Sequence, residues 1–258
     1  MRYPLALLVA VAFAAPALAA DPVKHAFLAT GGETFITDEA GKVTWTFAQS
    51  SRDGWVLDGG NVLLALSKSK QYPGGAVVEV DKAGKVLFEF KGTQAEVNTV
   101  QALGDGKVLL TEAGDKPRIL EVGRDGKVLA DVPLKAQTKD HHLQTRMTRK
   151  LPSGNYLVPQ LLDRVVREYD AKGEVVWEAK TPHMPFTAIR LPDGNTLIGC
   201  TLGNLVIAAT VLTRWGTGPD GTELALRTTA RILTRRPLLT ECPPTPPKSA
   251  VPPPAASP

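Results

Sequence analysis

A chain of 258 residues can build one large β domain or two smaller ones, and its 43% hydrophobic and 22% charged residues are ordinary for a soluble globular protein. The formal charge of +4 comes from the two ends: residues 21–203 hold 23 basic against 23 acidic groups and no basic stripe with interleaved aromatics, which argues against a nucleic-acid partner. With only two cysteines, Cys200 and Cys242, the chain is not a disulfide-framework domain.

The first twenty residues read as a secretory signal. Arg2 opens a charged start, an apolar run follows from Leu5 to Ala15, and Ala17, Ala19 and Ala20 are the small residues of a cleavage site before Ala20 or Asp21. Pro16 interrupts the run, which is shorter than the roughly 20 residues that span a bilayer. The expected location is periplasmic or extracellular, with no membrane span after cleavage.

From residue 21 to 204 the dominant pattern is an internal repeat. Four segments superpose on a Gly-Lys or Gly-Glu turn: AGKVTWTF at 40–47, AGKVLFEF at 83–90, DGKVLADV at 125–132 and KGEVVWEA at 172–179. Their glycines, Gly41, Gly84, Gly126 and Gly173, lie 43, 42 and 47 residues apart, the spacing of propeller blades and not of short solenoid turns. Positions two, four and six after each glycine alternate as an apolar set, for example Val43, Trp45, Phe47 and Val175, Trp177, Ala179, which predicts a strand with one buried face.

A second turn recurs out of phase, in LDGGN at 57–61, LGDGK at 103–107, LPSGN at 151–155 and LPDGN at 191–195. Each unit therefore reads as four strands. In the clearest copy they are expected over 142–151, 155–161, 164–170 and 174–179. The first copy, 25–47, supplies only three strands and lacks the leading one. The fold class is all-β, a propeller of four-stranded antiparallel blades in an incomplete ring of about four to five, with a β-sandwich as the structural runner-up.

A fifth unit begins with FTAIRLPDGNTLIG at 186–199, and the repeat then stops near Asn204. Residues 205–258 are rich in Thr, Arg and Pro, with ten prolines after residue 203, and are expected to be irregular and disordered. Two explanations stay open, a Pro-rich tail and a reading-frame slip near 204–210, and the second makes a Cys200–Cys242 bridge unlikely to be meaningful.

Residues 25–203 resemble the exported bacterial propellers described as quinoprotein-like, with PQQ-like repeats, or arylsulfotransferase-like. The resemblance rests on LPDGNTLI, GEVVWEAK and the stretch HHLQTRMTRKLPSGNYLVPQLLDRVVREYD at 141–170. It implies a propeller fold. Quinone-dependent dehydrogenases of this kind use a ring of adjacent cysteines, which this chain lacks, so no cofactor is carried over. Arylsulfotransferases use histidine and arginine around the central funnel, and no residue here aligns with their catalytic motif.

In a propeller, connections from the last strand of one blade to the first of the next gather on one face, together with the loops between middle strands. The candidate ligand-binding residues placed there are Glu96, Asn98, Glu112, His141, His142, Gln144, Arg146 and His183. Histidine titrates near neutrality and arginine offers a rigid donor fork for sulfate, phosphate or carboxylate. No metal motif, phosphate loop or nucleophile elbow occurs. The leading functional expectation is a binding scaffold for a small molecule, sugar or peptide. The alternative is an enzyme on an anionic or carbohydrate substrate that uses His141 or His142, Arg146 and His183.

Overall fold

The computed structural model describes residues 25–201, 205–210 and 229–235. They form five small antiparallel sheets arranged as a five-bladed β-propeller. The first sheet has three strands, β1 (Phe27–Ala29), β2 (Thr34–Thr37) and β3 (Val43–Phe47). The second runs β4 (Ser51–Val56), β5 (Val62–Leu66), β6 (Ala76–Val80) and β7 (Val86–Lys91). The third comprises β8 (Glu96–Ala102), β9 (Val108–Ala113), β10 (Arg118–Val122) and β11 (Val128–Pro133). The fourth holds β12 (Arg149–Lys150), β13 (Tyr156–Gln160), β14 (Val165–Tyr169) and β15 (Val175–Lys180), and the fifth β16 (Pro185–Arg190), β17 (Thr196–Cys200), β18 (Leu205–Thr210) and β19 (Thr229–Arg235).

The two recurrent turns have a local cause. Asp38, Asp81 and Asp170 each turn a carboxylate oxygen onto the backbone N–H groups two and four residues ahead. That wraps the chain into the left-handed region at Gly41, Gly84 and Gly173, at φ of 81°, 82° and 83°, where a side chain would strain it. Middle and outer strands of the first, second and fourth sheets are joined in this way, while in the third Gly123 stands at the aspartate's place and the same backbone turn closes at Gly126. In the fifth, β18 and β19 are separated by residues 211–228, which lie outside the described residues.

Burial follows from stacking blade on blade. Leu28, Ile36, Trp45 and Phe47 of the first sheet cover Val62, Leu64 and Val78 of the second. The other face of the second sheet, with Leu63, Val77 and Phe88, packs on Val97, Val100, Leu110 and Leu120 of the third. Leu109, Ile119 and Val132 then meet Tyr156, Val158 and Tyr169, and Leu157, Val166 and Trp177 meet Ala188, Ile198 and Ile207. Among the described residues no such layer joins the fifth sheet to the first. Phe27 and Ile189, on those two sheets, are both about half exposed.

Three expectations need correction. The apolar triplets after the Gly turn do not form one continuous buried face. Each outer strand bulges after its first valine, pairing Thr37 with Val43 but Ile36 with Trp45 and Val80 with Val86 but Glu79 with Phe88. The bulge breaks the alternation and leaves Val43, Val86 and Val128 about half exposed while Phe88 and Trp177 are buried. Second, the leading strand expected over 142–151 is cut to Arg149–Lys150. Asp140 accepts from the His142 N–H and winds His141–Leu143 into a 3-10 turn, and Met147 lies at φ 36° just ahead of β12. Third, strands β18 and β19 fall beyond Asn204, where irregular chain was expected. The apolar run LVIAAT supplies enough strand-forming residues to pair with the free edge of β17. The rest of that segment, with Cys242, and residues 1–20, where a secretory signal is expected, lie outside the described residues, while Cys200 is a free, buried thiol.

Candidate functional site

The first strands of the second, third and fifth blades each carry a bulge in their opening half. The pairing skips Arg52 between Ser51 and Asp53, Asn98 between Val97 and Thr99, and Phe186 between Pro185 and Thr187. In the fourth blade Thr145 pairs with Gln160 and Arg149 with Leu157, so one residue is again in excess around Arg146 and Met147. Arg52, Asn98, Arg146 and Phe186 each stand eight residues before the turn glycine of their own blade, Gly60, Gly106, Gly154 and Gly194. A bulge re-aims the side chain it carries. Here it brings Arg52, Arg146 and Phe186, from three different blades, to one cavity of about 440 Å³. Met147, Ser50, Ser51, Ser67 and His142 complete most of its wall, with Thr30 and Gly31 from the blade that shows three strands among the described residues.

The polar core of this mouth is centred on Glu96, whose side chain is almost wholly buried. It takes Arg52 Nη2 at 3.2 Å, Lys68 Nζ at 3.2 Å and His142 Nδ1 at 3.2 Å. Burial alone would raise its pKa, but Arg52, Lys68 and His142 outweigh that and hold it below the ordinary carboxylate value. Arg146, only 4% exposed, donates Nη1 to the Thr145 carbonyl at 2.7 Å and Nη2 to His142 Nε2 at 3.2 Å. No carboxylate lies within ion-pair distance of it among the described residues. Its pKa is pushed down to about 10, by burial first and then by the neighbouring charge of Arg52, with Glu96 and Asp140 opposing.

The hydrogen bonds fix the imidazole of His142. An arginine N–H can only donate, so Nε2 accepts from Arg146 and the ring proton sits on Nδ1, facing Glu96. Arg52 Nη1 at 3.4 Å from that same Nδ1 is then a near neighbour and not a bond. In this state the basic nitrogen of His142 is occupied, and a reaction that used it as a base would first require Arg146 to turn to another partner.

The eight residues singled out in the sequence separate into three groups. Glu96, His142 and Arg146 come together at the cavity. Gln144 is a structural clamp, accepting from Gly114 N at 2.9 Å and donating to Gly114 O at 3.0 Å. Glu112 is fully buried nearby on β9 but is held by Thr93 and by Arg118 Nε at 2.8 Å, and His141 pairs with Asp115 at 3.1 Å. His183 lies in an exposed connection, where its carbonyl accepts from Thr181. Asn98 is fully buried, and neither atom of its amide has a hydrogen-bond partner among the described residues.

The sequence reading missed Arg52, Lys68 and Phe186. For Arg52 and Phe186 the signal was present, because both occupy the position eight residues before the turn glycine that Asn98 and Arg146 also occupy. A second cavity, of about 380 Å³, is lined by Arg167, Glu178 and Lys135. Its arginine is already bonded to Glu178, Gln160, Asp163 and the Lys135 carbonyl, so its charge is matched from within. The described residues contain no group of His, Cys, Asp and Glu that could hold a metal ion, and no helix long and apolar enough to cross a membrane.

Fold and site together define a five-bladed propeller with an arginine-bearing cavity at one mouth of its ring. Comparison with solved structures gives the same fold class, the β-propeller. The chain is similar to a protein of unknown function from Bacteroides caccae, with a TM-score of 0.65 and 21% identity over 80% of this chain and 73% of that one. A streptogramin B lyase matches with a TM-score of 0.55 and 12% identity, over 80% of this chain and 65% of the lyase. Virginiamycin B lyase from Staphylococcus aureus matches with 0.52 and 10%, over 80% and 64%. The chain thus spans just under two thirds of either lyase. At these identities the likeness is one of fold. No protein-family model matches the chain, and no curated protein sequence matches it.

Proposed function

We propose that this protein is an exported propeller that binds a small ligand in the cavity where the first strands of its blades begin. One observation carries the reading. Three bulges at equivalent positions deliver Arg52, Arg146 and Phe186 from separate blades to a single recess, and hairpin formation alone does not need them there. Export is argued from the charged start, apolar run and small residues of the first twenty positions. Recognition is the role the geometry supports best, since the side chains converge without a free nucleophile or an unengaged base.

A thermal-shift screen of small neutral and charged solutes tests this on the wild type and on Ser67→Trp, which fills the recess. Ligands that raise the wild-type midpoint and leave the variant unmoved are expected. A complete screen with no cavity-dependent ligand would refute the reading. An enzyme on an anionic or carbohydrate substrate remains the second reading, supported by His142 sitting between Arg146 and Glu96. Turnover that disappears in His142→Gln while ligand binding persists would establish it.

A further inference from the structure

Arg146 is almost completely buried, yet among the described residues its hydrogen-bond partners are a backbone carbonyl and an imidazole. The other arginine of the cavity, Arg52, shares Glu96 with Lys68 and His142, and its Nε is buried without a hydrogen-bond partner among the described residues. Arg52, Lys68 and Arg146 therefore bring three positive charges to Glu96, with Asp140 the one further carboxylate acting on Arg146 among the described residues and outside ion-pair distance of it. A buried guanidinium without a matching anion is costly. Arginines that are only partly buried do find carboxylates in this chain, where Arg149 meets Asp53 and Arg167 meets Glu178 and Asp163. The excess at this mouth is local and faces open space. Phe186 and Met147 add apolar lining, and Ser50, Ser51 and Ser67 contribute to the remainder.

We propose that the ligand is a small organic acid. Its carboxylate, sulfate or phosphate group sits between Arg52 and Arg146, and its apolar body lies against Phe186 and Met147. This rests on the cavity being a binding site, as argued above, and adds the chemistry of the occupant. Guanidinium forks match planar and tetrahedral oxyanions through paired N–H donors. A volume near 440 Å³ leaves room beyond the anionic group for a ring-sized body. When such an anion takes the Arg146 N–H groups, the Nε2 lone pair of His142 is released to the cavity.

The test is titration calorimetry of the full chain with benzoate, phenyl sulfate, phenyl phosphate and uncharged benzamide, in a buffer free of carboxylates, sulfonates and phosphate. At least one of the acids is expected to bind about tenfold or more tightly than benzamide, and Arg146→Gln and Arg52→Gln should each lose about tenfold, the scale of one charge-assisted contact. The preference among the three acids identifies the anionic group. His183→Ala, in a connection away from the cavity, should titrate as the wild type does.

The unliganded midpoint adds a readout that a merely structural arginine would not give: Arg146→Gln should melt no lower than the wild type. Benzamide binding as tightly as the acids, or no acid binding at all, overturns the proposal. The first result would leave the cavity standing as a binding site, and the cavity-filling screen decides that separately. A lowered midpoint in Arg146→Gln with unchanged acid affinity also overturns it, because it makes the arginine part of the scaffold.

Discussion

Arg52 and Asp53 are neighbours on β4, and Arg146 and Arg149 lie three residues apart in the fourth blade, yet the two cross-ring partnerships end in opposite states. Asp53 receives Arg149 through both oxygens, at 2.7 and 3.1 Å, and also accepts from the backbone N–H of Val100 and of Gly54. Trp55, under the Arg149 guanidinium, donates to the Val100 carbonyl. That buried pair has its hydrogen bonds filled from three blades and fixes their register. One residue away, Arg52 lines a cavity together with Arg146, and of the two only Arg52 has a carboxylate, Glu96, within ion-pair distance among the described residues. Side chains of the same type, in the same two blades, thus serve cohesion in one layer and reception in the next. The difference lies in how completely the charges are answered.

The largest effect is expected where the pair is complete. Asp53→Ala strands Arg149 and the Val100 N–H, and should lower unfolding free energy by about 3–5 kcal/mol in urea titrations. Replacing both partners, as Asp53→Asn with Arg149→Met, should cost clearly less than the single change. At the mouth the sign reverses. Arg146→Met should leave stability unchanged or raise it by about 1–2 kcal/mol, since it removes a buried charge that has no ion-pair contact among the described residues. A loss as large as that of Asp53→Ala would erase the contrast.

Further out, Glu168 accepts from Arg190 of the next blade and from Asn155, both at 2.7 Å, and Arg190 covers Trp177. Glu121 stands in the corresponding place for Lys150 and Tyr156, and Glu79 for Arg124 and Asn61. Glu168→Gln should cost about 1–2 kcal/mol, the range for a partly buried charged hydrogen bond.

Glu96 gives the pH dependence. Its folded pKa lies below the ordinary 4.5, so the stability it contributes is complete above that value and is lost as the pH falls through the lowered one. Wild type and Glu96→Gln should therefore show different acid limbs below about pH 4.5 and parallel ones above, measured as melting midpoint against pH. The smallest effect belongs to the rim, where Leu129 is about half exposed beside the outer-strand bulge: Leu129→Gln should stay within about 0.5 kcal/mol of wild type.

The repeat was legible because its causes are local. Asp81 and Gly84, or Asp170 and Gly173, make their turn from residues four apart or fewer, and an alternating strand shows its buried side in its own residues. Bulges were harder to read, since an extra residue is recognised only against the partner strand it fails to pair with. Val86 was for that reason expected to be buried and is half exposed. Within the site, Glu96, His142 and Arg146 stood out by residue type and by their place in the connections. Arg52 did not, because it sits beside Asp53 in what reads as an ordinary strand.

The sequence by itself determined the hairpins, their period and the absence of an inner strand in the first blade, all matters of neighbouring residues and turn chemistry. Tertiary structure alone decided that Arg52 and Arg146, ninety-four positions apart, share one cavity while Asp53 and Arg149, separated by almost the same distance along the chain, close into a pair. The reason is geometric. Blades bring equivalent residues together by rotation about a common axis, and whether two charges then meet or leave a gap depends on the radial reach of each side chain, which no local pattern encodes.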